Sequence, residues 1–209
     1  DAVVNNLVTD PYSFSLSQDG AAAGDVRSQF ANLADADLKP AGWDSLVKPA
    51  LTNPEDMVIY EMHVRDFSIS DSTVAAADRG AYKAFTYDGA GPHPNTTLSD
   101  GMSHLLKLKD AGLTHVHLLP AFDIASVIEP AAQRTEPSFS FNPATDRASS
   151  TPQAAVWSNR LNDGFNWGYD PYHYGVPEGS YSSDPNGVTR ILEFRDMVKA
   201  LNQNGLRVV

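Results

Sequence analysis

Ten consecutive residues, Phe165-Asn166-Trp167-Gly168-Tyr169-Asp170-Pro171-Tyr172-His173-Tyr174, hold five aromatic rings beside an amide, a carboxylate and an imidazole. Ring faces can cover the C–H side of a pyranose while polar edges take its hydroxyls, so this composition suits a sugar. The same residues argue against a core strand, because Gly168 and Pro171 interrupt a ladder and proline cannot donate to one. The competing reading is a surface loop that tucks its rings into a small satellite cluster. Three other groupings carry chemistry on paper. Glu61 and Asp66 flank a strand end and could pose as an acid/base pair; with Arg65 they read better as a partly buried ion-pair network propping the site. His115 and His117 alternate on one strand as a metal pair would, but no third ligand is identifiable, which favours hydrogen-bonded histidines. Asp35 and Asp37 lack further calcium-loop ligands at the required spacing and read as a solvated turn.

The elements that would position these groups alternate between strand and helix. Met57 to Val64 is nearly continuous in apolar character, as in a parallel strand covered on both faces. Ser99-Asp100 can cap a helix carrying Met102, Leu105, Leu106 and Leu108, stopped by Gly112. Leu113 to Leu119 gives a second strand, ended by Pro120. A long insertion, 121–165, is low in periodicity and rich in Pro, Ser, Thr and Asn; loops of that length in compact domains are usually functional. Asp184-Pro185-Asn186-Gly187 turns the chain into a helix with Ile191, Phe194, Met197, Val198 and Leu201 on one stripe, closed by Asn204-Gly205. Leu206 to Val209 opens a third strand. Upstream, Tyr12, Phe14 and Leu16 alternate with serines as in a strand over Tyr12–Ser17, and 21–56 reads as a connector.

This order is an α/β pattern with parallel crossovers. Two architectures fit, a doubly wound sheet or a (β/α)8 barrel. Long insertions after strand carboxyl ends favour the barrel. Gly89-Ala90-Gly91 sits mid-loop and lacks the third glycine of a dinucleotide fingerprint, and neither a P-loop nor a G-x-S-x-G elbow occurs.

Fifteen basic against 26 acidic residues leave a net charge of −11 over 209 residues. That disfavours nucleic acid and anionic membrane as partners and is neutral toward an uncharged glucan. Apolar content of 42% without a membrane-length run reads as a soluble globular protein. The absence of cysteine excludes disulfides and thiolate metal sites. Asp1 to Asn6 show no basic or long apolar region, so the expectation is a leader already removed or a piece of something longer.

Four blocks in one order resemble the pullulanase and limit-dextrinase group of the α-amylase superfamily of glycoside hydrolases. They are Val58-Ile59-Tyr60-Glu61-Met62-His63-Val64-Arg65-Asp66-Phe67, Gly112 to Pro120, Asn166-Trp167-Gly168-Tyr169-Asp170-Pro171, and Val176-Pro177-Glu178-Gly179-Ser180-Tyr181. The resemblance implies the first part of a (β/α)8 TIM barrel over 57–209, about three strands and two helices with the insertion 121–165. It also implies that 1–20, around Thr9-Asp10-Pro11-Tyr12-Ser13, ends a preceding β-sandwich module. The implied activity is hydrolysis of α-1,6-glucosidic linkages in pullulan, amylopectin or limit dextrins by a retaining double displacement, which needs two carboxyl groups across the scissile bond.

In relatives those carboxylates follow strands four and five, so the expectation is that they lie downstream of Val209 and that these residues alone are inactive and poorly folded. Carried over by motif, Tyr169 matches the tyrosine that stacks on the glucose before the cleaved bond. Asn166, Trp167 and Asp170 are neighbours in its shell, with Asp170 orienting rather than reacting, and Tyr60 lines the barrel mouth. The partner implied is an α-glucan. The chemistry requires no cofactor, and a structural calcium ion is left open. The acidic balance and missing cysteines fit an extracellular or cell-surface bacterial protein, with plastid or cytoplasm as alternatives. Two other readings stand beside this one: a glycogen-branching or related transglycosylase, and a non-catalytic glucan-binding protein.

Overall fold

The computed structural model describes residues 8–18, 26–90 and 97–209. Gly91 of the mid-loop Gly89-Ala90-Gly91 run, and the six N-terminal residues weighed as a leader, lie outside that range. In chain order the elements are β1 (Ser15–Leu16), β2 (Ser28–Gln29), β3 (Ile59–Met62), α1 (Val64–Ser68), α2 (Asp100–Asp110), β4 (His115–Leu118), β5 (Phe122–Ile124), α3 (Thr151–Asn159), β6 (Pro171–Pro177), α4 (Thr189–Gln203) and β7 (Arg207–Val208). The class is α/β. Strands β3, β4 and β7 form a parallel sheet in that order, with Ile59 opposite His115 and Val116 opposite Val208.

Local chemistry explains the helices that link these strands. Ser99 caps α2, its Oγ accepting from the Met102 N–H at 3.1 Å, and Gly112 leaves the helix at φ 111°. One face of α2 buries Met102 and Leu105, and α4 buries Ile191, Met197 and Leu201. These meet Val116 and Leu206 from the sheet and Tyr82 and Phe85 from a 3₁₀ turn. Each fully buried side chain of this kind contributes roughly 1.5–3 kcal/mol. Rings lock the turn in place: Phe67 stacks on Phe85 at 4.2 Å, and Tyr82 meets Phe194 and Tyr181 edge-on at 5.4 and 5.7 Å.

Four expectations change. Strand β3 is not covered on both faces: Val58, Ile59 and Tyr60 are exposed, because β3 lies at the edge of the described sheet with β4 as its one lateral neighbour. The insertion is not featureless, since it contains β5 and α3. The aromatic stretch does enter a strand, β6, which pairs antiparallel with β5 through an irregular register. Pro171 is tolerated because it is the first residue of a two-stranded ribbon, where a missing donor costs little. Finally, the strand over Tyr12–Ser17 shrinks to two residues, and of its three apolar positions only Leu16 is buried. Ser13, Ser15 and Ser17 are buried while Tyr12 and Phe14 are exposed. The serines have partners: Ser15 donates to Gln29 Oε1 at 3.2 Å, and Ser17 Oγ accepts from the Arg27 N–H at 3.2 Å.

Candidate functional site

The carboxyl ends of the three parallel strands and the aromatic stretch frame two clefts. One, of about 510 Å3, is lined by Glu61, His117, Leu119, Phe122, Tyr169 and Tyr174. The other, of about 400 Å3, is lined by Tyr60, His63, Asp66, His104 and Trp167 among others. Glu61 and Leu119 border both. The residues singled out from sequence are thus divided. Tyr169 faces the larger cleft, 70% exposed, while Trp167 (58%) and Tyr60 (40%) share the smaller one.

The rings of this shelf are held by a compact set of backbone and amide contacts. Gly168 adopts φ 85°, a left-handed conformation open to glycine, and a Cβ there would meet Pro120 Cβ at 2.7 Å. Asn166 Oδ1 accepts from the Gly168 N–H at 2.8 Å and closes the turn. Asn166 Nδ2 donates to Ser126 Oγ at 2.8 Å, and Ser126 in turn donates to the Asp170 carboxylate. Ser126 therefore joins two of the expected shell residues. Phe165 meets Trp167 edge-on at 5.5 Å. With Asn166 and Asp170 tied down and the Trp167 and Tyr169 faces open, the arrangement can receive a flat hydrophobic surface edged by hydroxyls.

The charged groups at the strand ends separate into two pairings, which corrects the expectation of a single Glu61–Arg65–Asp66 network. Glu61 reaches across the β3–β4 pair to His117, at 3.0 Å, both exposed. Arg65 instead turns to Glu136 at 3.1 Å, with Asp66 at 3.6 Å. The two strands are adjacent and parallel with Glu61 opposite His117, so the register decides this partner. His115 is buried against Thr114 Oγ1 at 2.8 Å. Its burial, and then Arg207, hold it below the ordinary imidazole value.

A second grouping behind the shelf was not read from sequence. Asp123, Glu129 and Glu178 are buried, with oxygens within 4.8 Å of one another. Arg190, fully buried on α4, makes two bonds of 2.8 Å to Glu129, and its Nη1 lies 3.5 Å from Asp123. Glu178 accepts from the Ile124 and Ser180 N–H groups at 2.7 and 2.8 Å. His173 Nδ1 lies 2.7 Å from Asp123 Oδ2, while its Nε2 is 2.6 Å from Thr9 Oγ1. Burial, followed by Glu129 and Glu178, pushes Asp123 up to about 8; burial, followed by Glu129, pushes Glu178 up to about 7. Burial first and Arg190 second hold His173 below its usual value. With the oxygens taken by Arg190, His173 and backbone donors, this knot fastens α4 and β6 to the N-terminal segment. Gly179 beside Glu178 suits this crowding, since a Cβ at that position would stand 2.4 Å from Glu129 Oε1.

No protein-family model matches the chain. It is 46% identical over 202 residues to the chloroplastic Pullulanase 1 of Arabidopsis thaliana, covering 96% of this chain and 20% of that sequence. It is 38% identical over 239 aligned residues to a pullulanase of Klebsiella pneumoniae, covering 97% of this chain and 21% of that one. The chain thus spans about a fifth of the length of the curated relatives it matches. Among solved structures, Klebsiella pneumoniae pullulanase complexed with maltotriose superposes with a TM-score of 0.78 at 35% identity, over 96% of this chain and 21% of that one.

Proposed function

We propose a glucan-debranching role for this chain, which belongs to the pullulanase group of the α-amylase superfamily. In this reading it supplies the opening strands of the (β/α)8 barrel, residues 57–209, and part of the substrate cleft of a longer glycoside hydrolase that cuts α-1,6-glucosidic linkages. The described residues 8–18 belong to the end of a preceding β-sandwich module, and 26–56 lead from it to the barrel. The carboxylates that break the bond lie outside this chain, in a retaining double displacement.

The single observation that carries the reading is the placement of Tyr169. It stands exposed at the tips of three parallel strands, beside a cleft lined by Glu61, His117 and Tyr174. A ring there holds a glucosyl unit by its C–H face, leaves the hydroxyls to polar edges, and tolerates the flattening of an oxocarbenium-like transition state. Trp167 and Tyr60 bound the neighbouring cleft, where an adjoining sugar of the chain would pass. Asn166 and Asp170 keep the turn in shape. The bound sugar in the maltotriose complex of the Klebsiella pneumoniae protein supports an α-glucan as partner. No cofactor is invoked.

The test is product analysis with the full-length protein that carries this chain. Incubation with pullulan is expected to release maltotriose. New branch points without free oligosaccharide would indicate a transglycosylase, and glucan binding without any conversion would indicate a binding protein; either contradicts the proposal.

A further inference from the structure

His63 follows β3 and caps α1, buried, and touches three elements at once. Its Nδ1 accepts from the Asp66 N–H at 3.3 Å and so caps α1. A backbone N–H can only donate, so Nδ1 carries the lone pair and the proton sits on Nε2. Nε2 lies 2.7 Å from the Asn166 carbonyl oxygen, which can only accept, so this tautomer satisfies both contacts. The Tyr181 hydroxyl lies 3.1 Å from the same nitrogen and meets the ring edge-on at 5.8 Å. On its other side the imidazole packs on Phe165 at 5.6 Å, and Phe165 carries Trp167.

We propose that His63 is the positioning residue of the sugar-binding shelf: its Nε2–H, aimed at the Asn166 carbonyl, fixes the 166–169 turn to the end of β3. This rests on the glucan reading above and extends it, since it names what sets the distance between Trp167 and Tyr169 and the strand tips. The shelf is also attached through Ser126, through Pro120 packing on Gly168, through the Ala125 N–H donating to the Asp170 carbonyl at 2.9 Å, and through Arg65 over the Phe165 ring at 5.9 Å. His63, itself buried, links it to the end of the parallel sheet. An error of about 1 Å in such a shelf costs heavily in rate, because the sugar must lie in line with groups elsewhere in the cleft.

Two substitutions divide the two nitrogens. Asparagine can reproduce Nδ1 as a helix cap but cannot reach Asn166, whereas glutamine can reproduce Nε2 as a donor and forfeits the cap. In the full-length protein, His63→Asn is expected to keep its melting temperature and lose about tenfold in kcat/KM for pullulan. His63→Gln is expected to recover most of that activity while melting a few degrees lower. Crystal structures should show the 166–169 turn displaced in H63N and in place in H63Q. The proposal is overturned if H63N keeps wild-type kcat/KM with the turn in place, or if H63Q is no more active than H63N. A wild-type protein inactive on pullulan would defeat the functional reading alone. In that case a displaced turn in H63N still supports the anchor, and an undisplaced one overturns it.

Discussion

His173 and Tyr174 are neighbours on β6, yet they serve regions built on opposite terms. His173 turns into the knot of Asp123, Glu129, Glu178 and Arg190, where buried ionisable groups meet at 2.7 to 3.5 Å. Tyr174 turns out beside Tyr169, where rings are fixed at the backbone and bare at the face. The difference separates two uses of polar chemistry. In the knot, side chains satisfy one another, and removing one strands the rest in a medium that cannot solvate them. In the shelf, amide and carboxylate groups satisfy the turn and leave the aromatic surface unspent. Damage to the knot should therefore appear as lost stability, and damage to the shelf as lost recognition.

The largest effect on stability belongs to Arg190→Met. It removes the guanidinium and leaves the Glu129 carboxylate buried without its partner, beside the Asp123 and Glu178 carboxyl groups, at a cost of about 3–5 kcal/mol. Denaturant unfolding of the full-length protein should show it as a lower midpoint for the transition that includes this region. An unchanged midpoint would mean that the knot is decoration.

A smaller effect should follow pH. Asp123 and Glu178 stand at about 8 and about 7 in the folded state, against ordinary carboxylate values near 4 when unfolded. At these two groups the folded state binds more protons between those limits; His173 and His115, held below the imidazole value, offset this up to about pH 6.5, so stability falls as pH rises from there to about 8. The melting temperature should drop by several degrees between about pH 6.5 and pH 8.5. Asp123→Asn, which cannot ionise, should flatten that slope. A melting temperature that climbs across the same range would remove the protonated knot from the account.

The contrast also marks what could be read in the chain alone. Parallel strands and their helices were legible because apolar runs at Met57–Val64, Leu113–Leu119 and Leu206–Val209, and the stripes ending at Gly112 and Gly205, repeat with a definite period. The shelf was legible from its composition. The knot was not, because Asp123, Glu129, His173, Glu178 and Arg190 are polar, aperiodic and brought together by tertiary pairing of β5 with β6. Nor did the sequence disclose His63, whose role depends on which nitrogen faces Asn166. The Glu61–Arg65–Asp66 network failed for a related reason: strand register, invisible locally, hands Glu61 to His117.

The smallest effect on stability and the most direct test coincide at Tyr169, whose ring is largely exposed. Calorimetric titration of maltotriose into the full-length protein should show Tyr169→Ala binding roughly tenfold more weakly than wild type, with its melting temperature unchanged and Tyr169→Phe close to wild type. Equal affinity of the alanine variant and the wild type would contradict the claim that this ring receives the sugar.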